Sequence, residues 1–315
     1  TSRGRGGDDL IEGGQQGDRL LGEAGADTIT GGDSEPNWID GGDDDDELVG
    51  GEAGDTIFGG GGNDVLRGAG GADVMFGDGG RGGTGQPDGN DALSGGDGPD
   101  VLVGGGGTDK VVGDDGDDLL VVIDTVAGGA YGADPSGGSE DIYDGGAGVD
   151  TILVVADTDT TLTDAFVRLA GVAGDHPLVS VEVGLLTGGA NANTIDASGF
   201  SGTTAIRGKA AADTLTGGSG IDLIEGGAGN DTIRGNAGPD DLRGGDDNDT
   251  IDGDAGADRI SGGGGSNRLT GGADDDTFVY VPDASRPDDR ILDLAGADHD
   301  TLDMTAVTNG LRMVV

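Results

Sequence analysis

The sequence predicts an all-β fold: two blocks of parallel β-solenoid joined by a non-repetitive, β-rich insert and followed by a C-terminal capping segment. Three observations predict it. A nine-residue period occupies most of the chain, and within each period glycine, aspartate and a large aliphatic keep fixed places. The composition, with 74 glycines, 8 prolines and 3% aromatics, would read as low-complexity disorder if it lacked that order. Finally, there is no cysteine, so neither disulfides nor thiolate-bound metal can stabilise a fold.

The period opens at Gly4 with Gly4-Arg5-Gly6-Gly7-Asp8-Asp9-Leu10-Ile11-Glu12 and runs almost unbroken to Val121. Clean copies of G-G-x-G-x-D-x-U-x, with U a large aliphatic, are GGGGNDVLR at 59–67, GGDGPDVLV at 95–103 and GGAGVDTIL at 145–153. GGSGIDLIE at 217–225 and GGAGNDTIR at 226–234 match as well. The first block is 1–153, with an irregular excursion over 122–144. Within it the unit 31–40 carries one extra residue and has Asn37 in the aspartate place. In the unit 77–85, Gly82 replaces the aspartate and Thr84 the aliphatic. The insert is 154–187, where Thr163 to Ala170 reads as a short helix capped by Thr163 and ended by Gly171. A degenerate re-entry, GGANANTID at 188–196 and GFSGTTAIR at 199–207, starts the second block, 188–279. The capping segment is 280–315, with strand-like aliphatics in Asp289-Arg290-Ile291-Leu292 and Asp300-Thr301-Leu302-Asp303-Met304.

Glycines at the first, second and fourth places suit a tight turn, and x-U-x suits a short strand with its middle side chain inward. A turn and a strand every nine residues give a roll in which two nonamers complete one coil, so residues 18 apart stack. Leu215, Ile233, Ile251 and Leu269 then form one aliphatic ladder, and Ile206, Ile224, Leu242, Ile260 and Phe278 the other. Such single-file ladders bury little surface against a backbone entropy cost of about 1–2 kcal/mol per residue. The same stacking sets Asp213 over Asp231 and Asp249 on one edge, and Asp222, Asp240, Asp258 and Asp276 on the other. Carboxylates in file repel one another unless a hard divalent cation sits between turns, with backbone carbonyls completing an all-oxygen shell; calcium fits that description.

These nonamers resemble the calcium-binding repeats of the repeats-in-toxin (RTX) family. The resemblance implies a calcium-filled parallel β-roll, type I secretion in an unfolded state, and folding outside the cell. It also implies the side-chain ligands: Asp9, Asp18, Asp27, Asp46, Asp55, Asp64, Asp73, Asp91, Asp100, Asp109, Asp118 and Asp150 in the first block. In the second they are Asp213, Asp222, Asp231, Asp240, Asp249, Asp258 and Asp276. Asn267 and Gly82 depart from the pattern, which weakens the sites they would share with Asp249 and Asp64. Val181-Glu182-Val183 to Thr187-Gly188-Gly189 resembles strand lead-ins of long repetitive bacterial surface proteins. Tyr131-Gly132-Ala133-Asp134-Pro135-Ser136 resembles the Tyr-Gly-x-Asp-Pro-His motif of alginate epimerases, with Ser136 in place of the histidine.

The 62 acidic residues against 16 basic ones give a formal net charge of −46, which repels nucleic acid and anionic membranes. No apolar run approaches the roughly 20 residues of a membrane span, so no membrane insertion is expected. The start, Thr1-Ser2-Arg3-Gly4, is neither Met nor a signal peptide and reads as processed or cut from a longer chain. His176 and His299, the only imidazoles, lie outside any H-E-x-x-H frame and read as solvated residues; no G-x-S-x-G occurs. The expectation is therefore a non-enzymatic, extracellular structural or adhesive protein such as a surface layer, matrix fibre or adhesin segment, able to associate into filaments through open coil ends. The rival is the secretion and folding module of a protease, lipase or alginate epimerase.

Overall fold

In a computed structural model of the chain, the described residues are 1–32, 35–79, 89–123, 141–172, 174–280, 289–292 and 299–304. All regular secondary structure among them is strand, as the period predicts. The chain divides into two compact units, Thr1–Val155 with Ala165–Val183, and Ala156–Asp164 with Gly184–Val315.

In the first unit one sheet runs through Ser2–Arg3, Arg19–Ala24, Trp38–Asp43, Thr56–Gly61, Val74–Asp78, Val101–Val103, Leu119–Ile123 and Thr151–Val155. The other runs through Leu10–Glu12, Thr28–Thr30, Glu47–Gly51, Val65–Gly70, Ala92–Asp97, Lys110–Asp115, Ile142–Ala147, His176–Val179 and Phe166–Leu169. Alternate strands fall in alternate sheets, so each coil contributes one strand to each. The second unit repeats the plan. One sheet holds Thr203–Ala210, Asp222–Ala228, Asp241–Asp246, Arg259–Gly263, Thr277–Val279 and Thr301–Asp303, and the other Thr194–Gly199, Thr214–Thr216, Thr232–Ala237, Thr250–Ala255, Arg268–Ala273 and Arg290–Ile291.

Parallel pairing in fixed register puts like residues in file. Ile233 pairs with Leu215 and Ile251, and Leu269 follows Ile251; Ile224 pairs with Ile206 and Leu242, and Ile260 with Phe278. These are the predicted ladders, and their members are almost wholly buried. Each strand gives the core little more than one side chain, since Thr232–Ala237 alternates exposed and buried with Ile233 and Gly235 inward. A side chain lost here leaves a void that single-file neighbours cannot fill. Leu242→Ala should therefore lower the stability of the calcium-loaded protein by about 2–5 kcal/mol, read from denaturant melts.

Interruptions are absorbed in the turns. The extra residue before Asn37 leaves Leu20 paired with Ile39. Further on, Val65 pairs with Ala92 and Val74 with Val101, so a whole nonamer is bypassed while the aliphatics keep their phase. The segments Arg290–Ile291 and Thr301–Asp303 continue the ladders, Ile291 beside Leu269 and Leu302 beside Phe278.

One expected element is different. The helix over 163–170 is a strand, Phe166–Leu169, paired antiparallel with His176–Val179. Val167 and Leu169 point inward and Arg168 outward, a two-residue alternation that a strand satisfies and a helix does not.

Second-place and fourth-place residues adopt the left-handed region, for example Gly227 at φ 113° and Gly229 at φ 130°. The same places accept Lys209, Asn236, Asp254 and Ala211 at positive φ, so glycine is favoured there without being obligatory. First-place glycines owe their identity to something else, described next.

Candidate metal centre

Four columns of side chains run along the edges of the two units, and each is built by one repeated hydrogen bond. The backbone N–H of a sixth-place residue donates to the Oδ1 of its counterpart on the following coil. In the first unit Asp9 donates to Asp27, Asp27 to Asp46 and Asp46 to Asp64, at 2.7–2.8 Å. Asp64 then donates to Asp91, Asp91 to Asp109 and Asp109 to Asp141, at 2.8–2.9 Å. The opposite column runs Asp18 to Asn37, Asp55, Asp73, Asp100, Asp118 and Asp150, ending on Glu182 Oε2 at 3.0 Å. In the second unit one column passes Asn193, Asp213, Asp231, Asp249, Asn267 and Asp289. The other passes Thr204, Asp222, Asp240, Asp258, Asp276 and Asp300.

Every aspartate picked out by the period thus stands in a column. The two weak points resolve differently. Asn267 keeps its place and accepts the Asp249 N–H at 2.8 Å, substituting an amide for a carboxylate. Gly82 lies outside the described residues, and Asp64 finds its partner in Asp91 instead. Several column members were not recognised from sequence: Asp141, Glu182, Asn193, Thr204, Asp289 and Asp300. Asp141, Asp289 and Asp300 each precede a bulky apolar residue by two places (Tyr143, Ile291, Leu302), which is the repeat's own spacing and the available clue. His176, expected to be solvated, is 4% exposed, and His299 is exposed. Residues 131–136 lie outside the described residues.

The second carboxylate oxygen carries the chemistry. Oδ2 of Asp27, Asp46, Asp55, Asp64, Asp73, Asp91, Asp100, Asp118, Asp150, Asp213, Asp231, Asp240, Asp249 and Asp258 is buried without a hydrogen-bond donor. Burial of so many unpaired anionic atoms is untenable unless a cation or proton meets them. The first-place glycine shows where. A Cβ on Gly226 would collide with Asp231 Oδ2 and lie 2.5 Å from the Gly244 carbonyl oxygen, and one on Gly253 would meet Asp258 Oδ2 and the Gly271 carbonyl. Oxygen atoms of two successive coils therefore converge on space kept open by the missing side chain. Among the described residues no three acidic or imidazole side chains gather at one point, so a cation held in a turn would take one carboxylate there, with backbone carbonyls as the neighbouring oxygens. Hard oxygen donors in a flexible turn suit Ca2+ rather than softer metals.

The acidities express the same strain. Burial pushes the Asp91 carboxyl up to about 9 and Asp46 to about 8, with neighbouring carboxylates adding to the rise and the backbone N–H bond opposing it. Asp64, Asp73, Asp240, Asp249 and Asp258 rise to about 7, and Asp100 and Asp118 to about 6, again chiefly through burial.

Fold and site together define a class: a parallel β-roll whose acidic turns are built to take hard cations between coils. The chain matches the RTX calcium-binding nonapeptide repeat (4 copies) over residues 3–35, 49–82, 88–120, 207–242 and 243–278, more than half its length, and it belongs to that family. No curated protein matches it. It is therefore a calcium-binding repeat protein of the secreted type, and its cofactor is multiple Ca2+ ions. Among the described residues no helix is long and apolar enough to cross a membrane.

The cradle gives a direct test. Gly226→Ala should displace the Asp231 carboxylate and lower the calcium bound per chain, whereas Gly6→Ala, where a Cβ meets nothing within 4 Å, should bind as the parent does. Equilibrium dialysis with metal analysis of both variants compares the two.

Proposed function

We propose that this chain is an extracellular structural or adhesive segment, of the kind found in surface layers, matrix fibres or adhesins, that folds on calcium after secretion. Its side-chain ligands are the sixth-place aspartates, Asp9 to Asp150 in the first unit and Asp213 to Asp276 in the second. The observation that carries this reading is that the hydrogen-bonded columns of each unit bridge the skipped nonamer, the excursion after Val121 and the break before Asp300 as well as the clean repeats. A unit that keeps its turns in file across such breaks is suited to bearing load along its own coil axis. Catalysis is no part of the proposal. Strand edges at coil ends also favour end-to-end association into filaments, and sedimentation at millimolar calcium should show oligomers growing with concentration.

The test is mechanical. Held between handles in a single-molecule stretching experiment, the calcium-saturated chain should resist and then open in cooperative steps, and in chelator it should extend without steps. Featureless extension in both conditions would remove the structural reading. A protein whose role is only to assist secretion and folding of an attached enzyme has no need of such resistance.

A further inference from the structure

One column of the first unit ends in a way the others do not. Asp109 donates its N–H to Asp141 Oδ1 at 2.9 Å, so Asp141 continues the file, but the Asp141 N–H donates at 3.2 Å to His176 Nδ1 instead of to a carboxylate. An imidazole thus occupies the acceptor place of the next coil. With a backbone N–H aimed at Nδ1, that nitrogen carries the lone pair and the ring proton resides on Nε2. Nε2 is buried and has no partner, and it stands in the role that Oδ2 plays elsewhere in the columns. A protonated nitrogen there repels a cation.

Two further features agree. Asp141 Oδ2, the oxygen 3.3 Å from His176 Nδ1, takes its proton donor from the Tyr143 hydroxyl at 3.3 Å, which leaves Nδ1 to accept from the backbone. Tyr143 fills the aliphatic place of its repeat and is 3% exposed. Burial, then the Asp141 and Asp109 carboxylates, drive its acidity far down, so it remains a neutral donor. The backbone differs as well. Five places before His176, a Cβ on Gly171 would meet nothing within 4 Å, whereas the first-place glycines of the clean repeats face a carboxylate and a carbonyl. His176 opens a strand paired antiparallel with Phe166–Leu169, unlike the strand that follows Asp231, which pairs in parallel on both sides.

We propose that Tyr143, Asp141 and His176 form a plug of protons and hydrogen bonds that ends one cation column of the first unit, joining two coils without calcium. The inference rests on the reading of sixth-place aspartates as ligands. On the opposite edge Asp150 donates to the Glu182 carboxylate, which leaves an anionic group at the corresponding place. The two edges therefore stop differently, one on a buried imidazole and one on an acid.

The experiment compares Asp141→Asn with Asp118→Asn by calcium content at saturation, and reads the His176 tautomer by two-bond 1H–15N NMR in the calcium-loaded parent, with His299→Gln for assignment. The expected result is that D118N binds one ion fewer than the parent, D141N binds the parent's number, and His176 shows a protonated Nε2 with Nδ1 as acceptor. Loss of an ion in D141N, or an unprotonated Nε2, overturns the plug. Unchanged calcium in D118N overturns the ligand reading itself, and the plug falls with it as the end of a calcium column. Should D141N fail to fold, the tautomer alone decides.

Discussion

Exhaustive removal of calcium is expected to abolish the strands, leaving a far-UV circular dichroism spectrum of coil, and calcium addition should restore them in a cooperative transition. The argument begins with the interior. Its apolar content is chiefly two files of side chains per unit, while the turns contain many buried carboxylate oxygens without donors. With a net charge of −46 there are too few cationic side chains to neutralise these, and arginine ion pairs such as Arg67 with Glu47 and Arg234 with Asp252 lie on outer faces. Exposed pairs of this kind contribute about 0–1 kcal/mol each. Magnesium should not replace calcium, because it demands near-octahedral geometry and gives up water reluctantly. Trp38, the only tryptophan, is half-buried between the Arg19 guanidinium, 4.4 Å from its ring, and Phe58, 5.6 Å away, so its fluorescence reports folding of the first unit separately. A metal-free chain that stays compact and equally resistant to heat would show that calcium is not what holds the coils.

That so much of this is visible in the sequence follows from the one-dimensional build of a solenoid. Each nonamer repeats the same local problem, so the places of Ile233 and Asp231 are fixed by counting, and the pairing of Ile233 with Ile251 needs no knowledge of a distant contact. Counting fails where pairing skips. Asp141 meets Asp109 across 32 residues and His176 meets Asp141 across 35, and neither separation is a multiple of the period. Glu182 reaches its place from a segment with no glycine turn, using a side chain one carbon longer than aspartate. The supposed helix at 163–170 failed for a related reason. Thr163 and the apolar residues after it satisfy local helix signals, but the pairing of Val167 with His176 decides the conformation. The role of first-place glycine was also hidden. Local rules assign every turn glycine to backbone freedom, whereas Gly226 is required by the carboxylate and carbonyl that crowd its Cα.

Acidification should partly replace calcium in the metal-stripped chain. The aspartates that burial raises from the ordinary 3.8 to between about 6 and 9, Asp91 and Asp46 foremost, bind protons more tightly in the roll than in the unfolded chain. A group whose folded acidity constant is raised stabilises the fold fully below its unfolded value, and that contribution is lost as pH rises through the folded value. For this chain the window runs from about pH 4 to about pH 9, and above it the metal-free roll is opposed by each of these raised carboxylates once ionised. Each tenfold change in proton affinity corresponds to about 1.4 kcal/mol. Strand signal in metal-free protein should therefore grow as pH falls from 8 towards 4, opposite to the usual acid unfolding of proteins whose carboxylates are paired. With calcium saturating, the same descent should do the reverse, since protons then compete with the metal for Oδ2. Circular dichroism along both titrations measures the two slopes. Equal signs would mean that protons and calcium do not meet the same oxygens, and the columns would then owe their buried charge to some other counterpart.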